Sequence, residues 1–306
     1  MKIDMTKSKA AMTGALFLAA VIWGSGTVFM QICIDGGIET GLQMFFRFWS
    51  GTLCLGILLN KKLKQISSRL VFCGLLCGTL LFFGFFVLTL GLESTTPANS
   101  SFLSASSVML VPFISWAMLK IRPEKKVFAG CFLCLFGVAV LSLQLNGGVP
   151  FTMGDSLTLF SAVFFSFYTC TVAKVAGGLD AALFTFAQLF VTALWSTVTL
   201  PFTGADFSVV GQDLPALGAV IFLGIFNTGL CYLIQMTAQK SLPPTRVSLI
   251  LSSESLFGAV FSVLAGYDPF SVRLVVGGSI MMCAILLVET DLFSFSKKKA
   301  SQAAER

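Results

Sequence analysis

The sequence predicts an all-α integral membrane protein of ten transmembrane helices, arranged as two inverted five-helix repeats. Three observations predict it. Long apolar runs recur along the 306 residues. Nearly every positive charge falls in every second gap between those runs. The two halves also share a layout, at an offset of about 147 residues. The chain is 56% hydrophobic and 11% charged, with a mean hydropathy of +0.91, whereas soluble domains carry about 25% charged residues. A soluble fold of this apolarity would lack the polar surface to cover its core.

Residues 10–34, 70–92, 94–119, 127–154, 181–205 and 214–239 contain no Asp, Glu, Lys or Arg. Crossing the hydrocarbon core takes about 20 mostly apolar residues. The spans are expected at 12–34, 41–60, 70–91, 98–120, 127–145, 154–175, 181–202, 214–238, 244–266 and 271–288. Helices are required because backbone polar groups in lipid must be satisfied within the segment. A barrel would show alternating segments of about ten residues instead. The first run follows Lys2, Lys7 and Lys9 and so looks like a secretory signal. It is longer than such a signal needs, and nine more spans follow, so it is read as the first permanent span. The gaps are too short to fold as soluble domains. The expected units are a first repeat over 12–145, a second over 154–289 and a cytoplasmic tail over 290–306.

The charges orient these spans. The leading segment, the gaps after spans 2, 4, 6 and 8, and the tail hold every Lys and Arg except Arg47 and Arg273. The other side holds Asp35, Glu39, Glu93, Asp155, Asp206, Asp213 and Asp268. By the positive-inside rule both termini are cytoplasmic, in a cytoplasmic membrane. Adding or removing one span would destroy the separation. The net charge of +6 therefore needs no nucleic-acid partner. The basic residues are topology signals near anionic lipid headgroups.

Nine cysteines are scattered through the spans, including Cys131 and Cys134 as C-x-x-C. In an apolar helix, with no histidine in the chain, they read as small packing residues rather than redox or zinc ligands. Gly74 and Gly78 form G-x-x-x-G, read as internal packing in preference to a dimer face. Composition leaves both monomer and homodimer open.

The halves correspond in order. Span 4 begins near Pro97 and span 9 near Pro243-Pro244, and each runs to a proline-bearing turn, Arg122-Pro123-Glu124 in one and Asp268-Pro269 in the other. Each is then followed by a glycine-bearing span, with Gly130 and Gly137 in the first and Gly277 and Gly278 in the second. An odd number of spans per repeat makes the copies enter the membrane in opposite directions, a plan of secondary transporters. Trp23-Gly24-Ser25, Arg47, Thr95–Leu103, Gly154-Asp155 and Glu254 together resemble the EamA branch of the drug/metabolite transporter superfamily. The resemblance covers about residues 12–290. It departs at the turns after spans 4 and 9, where the family often has Gly-Glu, and at Ser255, where a proline is common. It implies a ten-helix carrier of small metabolites, often outward, and no particular substrate.

Glu254 is the most informative single residue. It lies about ten residues into span 9, roughly 15 Å deep, where a charge costs about 2.5–3.5 kcal/mol or more. It reads as a proton- or substrate-binding carboxylate, or as a structural group bonded near Ser252, Ser253 and Ser255. Arg47 reads as a partner for an anionic group, or as a snorkelling or capping cation. The sequence places Arg47 and Glu254 at different depths, so a pair between them is not asserted. Asn99, Gln188, Asn227 and Gln235 are amides that either line a pathway or bond neighbouring helices. Trp23 and Tyr168 stack on a solute or anchor an interface.

The absence of histidine removes the Ser-His triad and imidazole metal sites, and no Walker-type phosphate loop is present. No enzyme activity, cofactor or metal is expected. The expected partners are a small-molecule solute, amino-acid-like, amphipathic or drug-like, and membrane lipids. The expected function is secondary transport by alternating access, in the direction of export, with proton coupling open. The alternatives are a passive channel, an accessory subunit of a membrane complex, and a membrane enzyme on lipid-linked substrates.

Overall fold

The structure is a computed structural model that describes residues 5–38, 40–92, 103–120, 122–142, 152–267, 270 and 272–289. Every regular element among these is helical. Besides three short 3-10 turns at Leu63–Gln65, Leu200–Phe202 and Phe207–Val209, they are, in chain order, α1 (Met5–Asp35), α2 (Thr40–Leu58), α3 (Ser68–Leu92), α4 (Ser107–Leu119), α5 (Lys125–Ser142), α6 (Met153–Val175), α7 (Ala181–Thr199), α8 (Leu214–Gln239), α9 (Pro244–Leu264) and α10 (Val272–Glu289). Six helical stretches are long and apolar enough to cross a membrane: 10–35, 68–91, 153–175, 181–202, 214–239 and 244–264. Two shorter apolar stretches are Leu103–Leu119 and Val275–Val288.

Two helices are not the uniform spans the sequence suggests. Within α8, residues Leu223–Leu230 wind as a π-helix between two α-helical stretches. In α9 the regular helix breaks at Ser252 and Ser253 and resumes at Glu254. The hydroxyls of Ser252 and Ser253 donate to the carbonyls of Leu249 and Ile250, both at 2.6 Å. Such local bonds compete with the helical ladder and bend it.

Short polar motifs set where helices start. Thr152 and Asp155 form a reciprocal capping box at the head of α6. Asp180 accepts from the Ala182 and Leu183 amides at the head of α7, and Asp213 accepts from Ala216 at the head of α8. These carboxylates answer helix N–H groups that have no partner within the helix.

Packing follows a reciprocal pattern. α3 lies against α6 and α7, while α8 lies against α1 and α2. α4 packs on α6, and α9 on α1. α2 meets α7, and α5 meets α10. Glycines permit the close approaches. A Cβ on Gly137 would come within 2.9 Å of the Gly277 carbonyl oxygen, and one on Gly74 within 2.7 Å of the Ala187 Cβ. The Gly74–Gly78 face is thus spent on α7 inside the molecule. The C-x-x-C thiols are buried and free, and Cys134 lies 3.0 Å from the Ser252 hydroxyl.

The two ends differ in charge. At one end the α6–α7 turn is held by three cations: Lys62 pairs with Asp180 at 3.3 Å, Arg69 donates to the Gly177 carbonyl at 3.1 Å, and Lys240 donates to the Leu179 carbonyl at 2.7 Å. At the other end Tyr267 donates to Asp35 at 3.3 Å, and Gly36 is packed against Ala216 and Asp213.

Candidate functional site: a guanidinium between the two halves

Arg47 projects from α2 into the π-helical part of α8. Its Nε donates to the Thr228 hydroxyl at 2.7 Å and its Nη2 to the Asn227 Oδ1 at 2.8 Å. The guanidinium carbon also lies 5.0 Å from the centre of the Phe85 ring of α3, within cation–π range. Adjacent residues of an α-helix point about 100° apart and do not face a common partner. The wider winding of the π segment brings Asn227 and Thr228 to one guanidinium. Such turns recur at functional sites.

Asn227 is a hub. Its Nδ2 donates to the Ile22 carbonyl at 2.8 Å and approaches the Trp23 carbonyl at 3.5 Å, and its backbone carbonyl accepts from the Trp23 indole N–H. Gly26 gives Asn227 room, because a Cβ there would sit 2.5 Å from the Asn227 Nδ2. Gly51 does the same for the backbone, since its Cβ would lie 2.5 Å from the Gly224 carbonyl. Two helices of the first half, α1 and α2, are thereby tied to one helix of the second.

From this hub an aromatic and amide line extends through the second half. Trp23 meets Tyr232 edge-on at 5.3 Å, and Tyr232 meets Tyr168 edge-on at 6.0 Å. The Tyr168 hydroxyl donates to the Gln188 Oε1 at 3.2 Å. Gln188 Nε2, Gln235 Oε1 and Gln239 Oε1 are buried without a hydrogen-bond partner. Buried polar groups of this kind ordinarily bind water or ligand.

Arg47, Trp23, Asn227, Tyr168 and Gln188, all legible as candidates in the sequence, thus belong to one connected network. Thr228, Tyr232 and Phe85 complete it and were not singled out. Their only sequence signal is adjacency to Asn227 and to aromatic runs. Glu254 stands apart. It opens the second part of α9, is exposed to open space, and lies in electrostatic reach of Arg47 and Tyr232. No ion pair joins Glu254 to Arg47 among the described residues. Asn99 lies outside the described residues. No cluster of His, Cys, Asp or Glu able to hold a metal occurs among the described residues.

Apolar helices long enough to cross a membrane, tied together by a half-buried guanidinium, describe a multi-pass membrane protein. The chain belongs to the EamA-like transporter family, whose sequence pattern matches it twice, over residues 12–143 and 152–290. A protein of Archaeoglobus fulgidus named an uncharacterized transporter is 25% identical over 273 residues, covering 89% of this chain and 84% of its own. The uncharacterized transporter YetK of Bacillus subtilis is 23% identical over 304 residues, covering 93% of this chain and 90% of its own. A solved crystal structure, 19% identical, superposes with a TM-score of 0.77 over 92% of this chain and 96% of that one. It shares the fold.

Proposed function

We propose that the protein is a secondary transporter that exports a small solute from the cytoplasm by alternating access, with the Arg47–Asn227–Trp23 network at the seam between two rocking halves. The carrying observation is that Arg47 of α2 is held by Asn227 and Thr228 of α8. A half-buried cation bonded across the two halves has to be re-paired if the halves move. Its field favours a solute bearing an anionic group, such as a carboxylate.

The reciprocal packing supports an inverted repeat. Exchanging helices one to five with six to ten turns α3 against α6 and α7 into α8 against α1 and α2, and returns α5 against α10 to itself. The family pattern's double match supports the same division into two units, about 12–145 and 154–289. The basic end, carrying Lys62, Arg69 and Lys240, is taken as cytoplasmic, which puts both termini inside the cell. Glu254 is the candidate coupling carboxylate, because it is an acid in the membrane interior, open to space and in electrostatic reach of Arg47 without an ion pair to it.

The test compares solutes in the medium of cells producing wild type, Arg47→Lys, Glu254→Gln or no protein, with membrane levels matched. Wild type should release a defined solute. Both variants should release it at least about tenfold more slowly, as expected when a polar contact to the moving solute is lost. Release by Glu254→Gln at the wild-type rate removes the coupling role from Glu254. Identical media from wild type and control overturn export.

A further inference from the structure

An open groove of about 370 Å³ runs along the seam where α2 meets α7. Its wall is hydrocarbon. Phe186 and Phe190 of α7 stack at 6.0 Å, and Trp49 of α2 meets Phe190 edge-on at 6.0 Å. Gly56 forms the floor, where a Cβ would lie 3.1 Å from the Phe186 ring. Leu53 and Ile57 stand on the rim, 57% and 73% exposed. Apolar side chains exposed this far on the helices of a membrane protein face acyl chains. No residue of the Arg47 network lines the groove.

The groove offers no polar contact along its length. From Trp49 to Ile57, and at Phe186 and Phe190, the lining residues lie inside their helices, where backbone N–H groups are bonded in the ladder. The Trp49 indole N–H donates to the Thr197 hydroxyl at 2.8 Å. Thr52 is buried, and its hydroxyl oxygen is closed off from the surface. The exposed polar side chain of the wall is Asn60, whose own N–H is bonded to the Ile57 carbonyl. It marks the basic end.

Charge complements that end. Lys61 and Lys64 follow Asn60, are exposed and have no acidic partner among the described residues, whereas Lys62 is taken by Asp180 at 3.3 Å. From Trp49 to Asn60 a helix advances about 16 Å. One leaflet of hydrocarbon is about 15 Å deep, half of the roughly 30 Å core. The groove therefore runs from the lysines to the depth at which a lipid tail ends. We infer that it holds one acyl chain of an anionic phospholipid, with the phosphate on Lys61 and Lys64. A zwitterionic headgroup fits worse, because it brings its own cation to the lysines. A second copy also fits worse. A two-fold axis along the membrane normal would bring Lys61 and Lys64 of both chains together, and like charges facing each other oppose association.

The experiment places the full chain in phosphatidylcholine vesicles with an equal, small fraction of phosphatidylglycerol or phosphatidylcholine bearing the same brominated acyl chains, and reads tryptophan quenching. Subtracting the signal of Trp49→Phe isolates Trp49. Brominated phosphatidylglycerol should quench Trp49 at a fraction at least about tenfold lower than brominated phosphatidylcholine, from about fivefold per lysine. Lys61→Gln with Lys64→Gln should remove that preference. Lys120→Gln with Lys125→Gln, the same loss of charge at the turn between α4 and α5, should keep it. Equal quenching by the two lipids in wild type overturns the proposal. So does a preference that survives in the first double variant or falls equally in the second. A Trp49 that neither lipid reaches overturns it as well, and a dimer in the same vesicles would then name a second copy as the occupant.

Discussion

Two neighbouring side chains, Asn227 and Thr228, grip the same guanidinium. Lysine cannot replace that grip, because a single ammonium on a flexible stem neither forks between two acceptors nor stacks as a plane on Phe85. Asn227→Ala should cost more than a lost contact. It removes one of the two acceptors of Arg47 and cuts the tie to the Ile22 carbonyl, which keeps the Ser25 hydroxyl, and an unmet group of this kind costs about 1–3 kcal/mol. A lower midpoint of thermal unfolding in detergent, exceeding that of Thr228→Val, would show it. Asp180 presents a different case, outside the membrane interior. The Leu183 amide, with help from Lys62, holds its carboxyl below the ordinary carboxylate range. Its stabilising effect is therefore present at neutral pH and is lost as pH falls through that lowered value. Asp180→Ala should cost about 1 kcal/mol at neutral pH, Asp180→Asn less, and the difference from wild type should shrink in acid. A constant difference across pH would count against it.

At the scale of elements, close backbone approach decides how α2 meets α8. A Cβ on Gly224 would overlap the Ser50 side chain and lie 2.6 Å from the Arg47 carbonyl oxygen. Backbone cannot yield as a flexible side chain does. Gly224→Ala should destabilise by about 1–3 kcal/mol, the usual range for overpacking, and should disturb Arg47 with it. Gly218→Ala, where a Cβ meets nothing within 4 Å, is the matched control on the same helix. Equal thermal midpoints for the two variants would refute the packing argument. Helix boundaries were largely legible, because charge-free runs and the carboxylates Asp155, Asp180 and Asp213 mark them. The interior irregularities were not. Composition reports apolarity but not winding, so the π stretch of α8 and the break at Ser252-Ser253 left no periodic signature in a segment hydrophobic on all faces.

Across the whole molecule, the Lys62–Asp180 pair joins the two halves at the basic end. Rocking halves would have to separate there. Lys62→Cys with Asp180→Cys, oxidised to a disulfide, should abolish export, and reduction should restore it. Full export by the cross-linked protein would remove rocking at that end from the mechanism. The sequence conveyed the apolar helical stretches because long charge-free runs are written along the chain. It named Arg47, Trp23 and Asn227 separately. It did not join them, since hydrogen bonds spanning some two hundred residues depend on which helices become neighbours. It also set Glu254 beside them in importance, whereas the structure leaves that carboxylate outside the bonded network.

The π-helical stretch has a consequence for how this chain can change. Its wider turn is what a single extra residue leaves behind when inserted into a helix that was already packed at both ends. Removing one residue there, Ile225 for instance, would let α8 wind uniformly while both packed ends keep their faces. Tyr232 would stay against Tyr168, but Asn227 and Thr228 would no longer turn to one guanidinium. A shortening by one residue should therefore spare the fold and loosen Arg47. Relatives that lack the residue would need another way to hold an arginine at this position.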